Sequence, residues 1–208
     1  MRGFDSAETH HTHGWPCGGS VTVRKIAWIV LATAAAFAVG VPVAEAGDRT
    51  CRGTLGAITV DDNLLVPQDA TCVLNGTDVQ GNILVKAGAR LTATGVSVDG
   101  NVQAKRSARV VVRGGSTVEG DVQVFDGGAA RVVRSSVGGN IQLEDNDDRL
   151  VVLRNTVGGD VQAFQNTGGV VIRGNRVDGN LQCKGNVPRP TGGDNRVDGN
   201  KEDQCARL

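Results

Sequence analysis

From residue 47 to the C-terminus the chain has no histidine, tryptophan, tyrosine or methionine, and its aromatic side chains are Phe125 and Phe164. A histidine general base and a histidine metal site are excluded from that region by composition alone. Two phenylalanines are too few to stack sugars or single-stranded bases along a groove. Net charge is missing too, because 22 basic residues balance 22 acidic ones. Residues 1–46 hold three of each sign, so 19 oppose 19 from residue 47 onward. Neither nucleic acid nor an anionic membrane surface is implied by that balance. Helix is excluded as well: no window spaces its apolar residues at i, i+3 and i+4, and glycine occurs 30 times.

What is present is a repeat. The segment Val177-Asp178-Gly179-Asn180 returns with small changes at Val79, Val98, Val118, Val137, Val157 and Val197. Its glycines are 81, 100, 120, 139, 159, 179 and 199, spaced by 19, 20, 19, 20, 20 and 20 residues. A sustained period of this length marks a solenoid, each repeat being one unit stacked on its neighbours.

Each repeat has internal strand patterning. After the glycine comes an apolar–polar–apolar segment, as in Val122-Gln123-Val124 or Ile141-Gln142-Leu143, the alternation of a strand with one buried face. About seven residues on, most repeats carry a β-branched run such as Val110-Val111-Val112 or Val170-Val171-Ile172. Two or three short strands with sharp turns predict a single-stranded parallel β-helix, all-β, of about seven to eight coils with about 20 residues in each. The valine two before each glycine, and the residues two and four after it, are expected to point inward. Gln103, Gln123, Gln142, Gln162 and Gln182 are expected to form an outward amide ladder. The Asn or Asp after each glycine is assigned to a corner, tolerating αL and bonding its own backbone. The glycine supplies either a positive φ or a close backbone approach.

The first 46 residues read as an address. Arg24-Lys25 precede an apolar run over 26–43, which ends in Ala44-Glu45-Ala46 before Gly47. A charged region, an apolar stretch and an A-x-A site make a secretory signal peptide over 21–46, cleaved after Ala46, with the solenoid domain over 47–208. Residues 1–20, with His10, His11 and His13, sit awkwardly ahead of it. They are expected to reflect a start codon assigned too early, the true start being Val21 or Val23.

Export gives the cysteines their meaning. Cys51, Cys72, Cys183 and Cys205 come after the leader, an even count suited to two disulfides in an oxidising compartment. Cys72 and Cys183 stand between five and six coils apart, roughly 26 Å at about 4.8 Å per coil. A disulfide needs Cα atoms within about 7 Å. Pairing is therefore expected within each end, Cys51 with Cys72 and Cys183 with Cys205. In the last repeat the inward positions become Lys201 and Asp203, a polar stop to the apolar ladder. Residues 186–193, with Pro188 and Pro190, read as an insertion-like turn before that coil.

Over 79–200 the pattern Val-x-Gly-Asn/Asp-Val/Ile-Gln resembles the β-helical rungs of bactofilins, bacterial polymer-forming cytoskeletal proteins. The resemblance implies the fold. Bactofilins are cytosolic and polymerise through uncapped ends, whereas this chain carries a leader, end cysteines and a polar last coil, so filament formation is not implied. The alanine-rich leader and the ending Gly199-Asn200-Lys201-Glu202-Asp203-Gln204-Cys205 are more similar to small secreted actinobacterial proteins of unassigned function. That similarity implies location, not activity.

Three functions compete. The first is a secreted, non-catalytic solenoid serving as a structural or interaction surface outside the cell or in its wall, monomeric, without a cofactor and without stable membrane insertion after cleavage. The second is a polysaccharide lyase or hydrolase of the pectate-lyase-like type. Its candidate patch is Glu144-Asp145-Asn146-Asp147-Asp148 with Asp126 and Arg149, since lyase chemistry needs carboxylates or Ca²⁺ and a cationic base. The third is binding of an anionic wall or extracellular polysaccharide by an arginine ladder, Arg113, Arg134, Arg154 and Arg173, recurring at 21, 20 and 19 residues.

Overall fold

The computed structural model describes residues 47–208; the leader, the three histidines and Cys17 lie outside the described residues. Every coil contributes up to three strands, one to each of three parallel sheets. One coil runs Val102–Lys105, Arg109–Arg113 and Thr117–Val118. Stacking such coils builds a first sheet of nine strands, from Arg49–Thr50 to Lys201–Asp203, and second and third sheets of eight strands each. The result is an all-β parallel solenoid of about eight turns.

Register puts equivalent residues on top of one another. In the first sheet Ile83, Val102, Val122, Ile141, Val161 and Leu181 form one inward column, every member fully buried. In the second, Leu74, Ala93, Val112, Val132, Val152 and Ile172 form another. The valines two before each repeat glycine line the third sheet, buried from Val79 to Val177. Each buried Val, Leu or Ile contributes about 1.5–3 kcal/mol of transfer free energy, so the three columns together are the core that drives coiling.

Outside the first sheet the glutamine ladder forms as expected. Gln103 donates to Gln123, Gln123 to Gln142, Gln142 to Gln162 and Gln162 to Gln182, at 2.7–3.2 Å. Glu202 closes the row by accepting from Gln182 at 2.8 Å.

At the corner the structure decides between two roles for the repeat glycines. None of them has a positive φ. From Gly100 onward each N–H instead donates to the glycine carbonyl of the coil before, as Gly120 does to Gly100 at 3.1 Å. A Cβ on Gly100 would lie 2.8 Å from the Gly81 carbonyl oxygen and 2.6 Å from Asn82 Oδ1. Close approach is the reason for glycine. The Asn or Asp after it differs from expectation in the same way. It does not adopt αL and does not bond its own backbone; its Oδ1 accepts the backbone N–H of its counterpart one coil on, as Asn82 does from Asn101 at 2.9 Å. Carboxylates at Asp121 and Asp160 alternate with amides at Asn101, Asn140 and Asn180, so no two charges are adjacent in this column.

Two further amide columns run inside the solenoid, and sequence reading did not assign them. Asn146, Asn166 and Asn186 stack at one corner, and Asn155, Asn175 and Asn195 at another, all buried. Asn166 shows the pattern. Its Nδ2 donates to the Leu143 carbonyl at 2.9 Å and to Asn186 Oδ1 at 2.9 Å, while its Oδ1 accepts from the backbone and side-chain nitrogens of Asn146 at 3.0 Å each. Buried amides are tolerable here because every donor and acceptor finds a partner. Gln204 ends the first column by accepting from Asn186. The signal was present as asparagine at a spacing of 20 residues, but it fell between the strands on which alternation was read.

The ends also differ in detail. Residues 186–193 are no insertion: Asn186 keeps its column, and Thr191–Gly193 pairs in register with Val171, Ile172 and Arg173. Lys201 and Asp203 do lie in register with Leu181 and Cys183 and are exposed. Beyond them the chain turns back, and Cys205 and Leu208 pack onto the end of the core. The apolar seal is made by those two residues.

Candidate functional site

The four end cysteines pair as the coil count requires. Cys51 is joined to Cys72 and Cys183 to Cys205, with Cα atoms 5.6 Å and 5.2 Å apart. Each bridge ties a terminal coil to its neighbour, and disulfides of this kind are typical of extracellular proteins.

The arginine ladder resolves into two columns. Arg113 and Arg173 end strands of the second sheet, and the coils between them carry Val133 and Leu153 at that position. Arg134 and Arg154 stand one residue further on, both in the left-handed region at φ 51° and 56°. In other coils that corner is Gly76, Gly95, Gly114, Gly174 or Asp194, also at positive φ. Arg134 and Arg154 are therefore neighbours in one column, and Arg113 and Arg173 are three coils apart in the other.

A wider basic surface surrounds them. No strand of the second sheet contains an Asp or Glu, while Arg90, Arg109, Arg113, Arg131 and Arg173 lie within its strands. Arg134, Arg149 and Arg154 flank them. All eight are exposed. Sequence reading found only half of them because it tracked strand ends; the others emerge from register. The floor between them is aliphatic. Val73, Val111, Val151 and Val171 occupy one outward column with Thr92 and Arg131, and Val133 and Leu153 lie in the next. Val111 and Val151 point outward yet are only 4% and 8% exposed.

Ion pairing differs between the faces, although exposed Asp147, Asp148 and Asp194 also flank the second sheet. Arg176 and Arg196 on the third sheet have acidic partners: Arg176 reaches Asp178 at 3.2 Å and Asp198 at 2.9 Å, and Arg196 reaches Asp198 at 3.7 Å. On the second sheet, among the described residues, only Arg173 is so paired, with Asp194 at 3.0 Å. Arg113 donates to the Thr94 hydroxyl at 3.1 Å. One shallow groove on this face is bounded by Arg131, Arg149, Arg154 and Arg173, with Val151, Leu153 and Val171 along its floor and Asp194, the partner of Arg173, at its edge beside Gly174.

The acidic run takes a different form. Asn146 turns inward to its column, while Asp145, Asp147 and Asp148 are exposed around the corner. Asp126, one coil back, faces Lys105 at 3.5 Å. Among the described residues no group of three His, Cys, Asp or Glu side chains is placed to hold a metal ion. What the surface offers chemically is an array of fixed cations over an aliphatic floor.

Fold and ends together define a class: a three-sheet parallel β-solenoid with a disulfide at each end. No protein-family model, no curated protein and no solved structure matches the chain.

Proposed function

We propose that the protein is exported and works as a non-catalytic structural or interaction element outside the cell or in its wall. The observation that carries this reading is the covalent closure of both ends of a continuously hydrogen-bonded rod. Disulfides persist outside the cytosol, and closing loops of 21 and 22 residues protects the two coils that have a neighbour on one side only. Even coils hold the outward columns in fixed positions, which suits presentation of a surface. The sealed C-terminal end argues for a single particle in place of a filament. Protein recovered from culture medium is expected to begin at Gly47 on N-terminal sequencing. Recovery of the intact chain from the cytosol alone would overturn the proposal.

A further inference from the structure

We propose that the outer face of the second sheet binds a linear, carboxylate-bearing polysaccharide laid along the solenoid axis. The inference deepens the reading of an extracellular interaction element and rests on it for the ligand's whereabouts, though the binding chemistry stands alone.

Extent is the first consideration. Arg90, Arg109 with Arg113, Arg131 with Arg134, Arg149 with Arg154, and Arg173 belong to five successive coils. At about 4.8 Å per coil they span roughly 19 Å, a length that matches a chain of anions better than one small anion. Their stacking holds like charges close together with one carboxylate partner among them, an arrangement that a polyanion relieves. The third sheet supplies the contrast, since its arginines are neutralised from within.

The floor narrows the polymer class. Leu153 and Val171, both partly exposed, offer aliphatic contact to the C–H faces of sugar rings, while the flanking guanidinium groups present planar forks suited to carboxylates. Single-stranded nucleic acid would require aromatic platforms for its bases, and no strand of this sheet contains an aromatic residue.

Arg154 also gives the site a clean variant. It holds a left-handed backbone at φ 56°, at a corner that Arg134 and Asp194 occupy in two other coils and glycine, as Gly114 and Gly174, in others. Glycine is unstrained in that conformation, so the fold accepts Arg154→Gly.

The experiment measures binding of the purified chain to polygalacturonate, with fully methyl-esterified polygalacturonate and a single-stranded DNA of equal charge as comparison probes. Polygalacturonate is expected to bind and to raise the melting midpoint. The esterified polymer, identical in backbone but uncharged, should bind at least tenfold more weakly. A combined R131A, R149A and R154G variant should lose at least tenfold in affinity, with R154G alone melting no lower than the parent. R176A with R196A, which removes the same type of charge from the third sheet, should stay within twofold. Equal binding of both polygalacturonates, DNA binding as tight as polygalacturonate, or an equal loss from the third-sheet variant would each overturn the site. Release of new reducing ends would overturn the non-catalytic reading while leaving the binding face intact. Export with no polygalacturonate binding would do the reverse.

Discussion

Asparagine plays two physical roles in this chain, and they separate by burial. In the interior column a single substitution, Asn166→Ala, removes four hydrogen bonds and leaves the Asn146 backbone N–H buried without its acceptor, while Asn146 Nδ2 keeps its bond to the Val124 carbonyl. A buried donor left unpaired costs about 1–3 kcal/mol, and the loss should be on the order of 2 kcal/mol or more. Gln162 also makes amide contacts to both neighbours, but it is only half-buried. Water replaces what Gln162→Ala removes, and a cost under about 1 kcal/mol is expected. Urea melts of the two variants check the contrast; comparable losses would mean that the interior column is not dry. One interior position breaks the pattern. Ser107 Oγ is buried without a partner, and the next coil places Gly127, with no side chain to answer it, at the equivalent corner.

At the scale of the coil, each element is stabilised by the one before and the one after. A terminal coil lacks one neighbour, and the disulfides make up that deficit. In the chain-entropy model a loop of this size is worth about 3 kcal/mol. Replacing both Cys183 and Cys205 by alanine should therefore act locally. Amide exchange should quicken across Lys201–Asp203 and Leu181–Lys184, while Val122–Phe125 in the middle keeps its protection, because repeats couple chiefly to nearest neighbours. Uniform loss of protection along the rod would show that the solenoid unfolds as one unit.

For the whole molecule, the important property is that stacking stops. The first and last strands of each sheet have unpaired edges, and an apolar end would invite another copy. Exposed Lys201 and Asp203 and the plug of Cys205 and Leu208 stand against this at the C-terminal end. The intact chain is expected to sediment as a monomer. Removing residues 204–208, with Cys183→Ala to exclude disulfides between copies, takes Cys205 and Leu208 off the end of the core and should produce concentration-dependent association, read by light scattering. A truncated chain that stayed monomeric at every concentration would place the barrier elsewhere, in the charged edge itself.

Period, strand alternation and cysteine spacing were legible in the sequence because a solenoid converts sequence distance directly into height along its axis. Seven glycines at 19 or 20 residues fix the coil, and coil height then admits only the pairings Cys51 with Cys72 and Cys183 with Cys205. The inward columns came from period 2, and Val79, Ile83, Val122 and Val161 stand where alternation put them. What the linear pattern could not settle was lateral. A spacing of 21 or 19 in place of 20 is a shift of one residue, and one residue moves a side chain to a different column. For that reason Arg113 and Arg173 part from Arg134 and Arg154, while Arg131 and Arg149, which strand-end reading passed over, join the same face. The corners were hidden for a related reason: whether a glycine serves a positive φ or a close approach, and whether an asparagine bonds itself or the next coil, depends on the backbone stacked against it. Residue composition determined that this chain coils; contacts between coils decided which side chains share a surface.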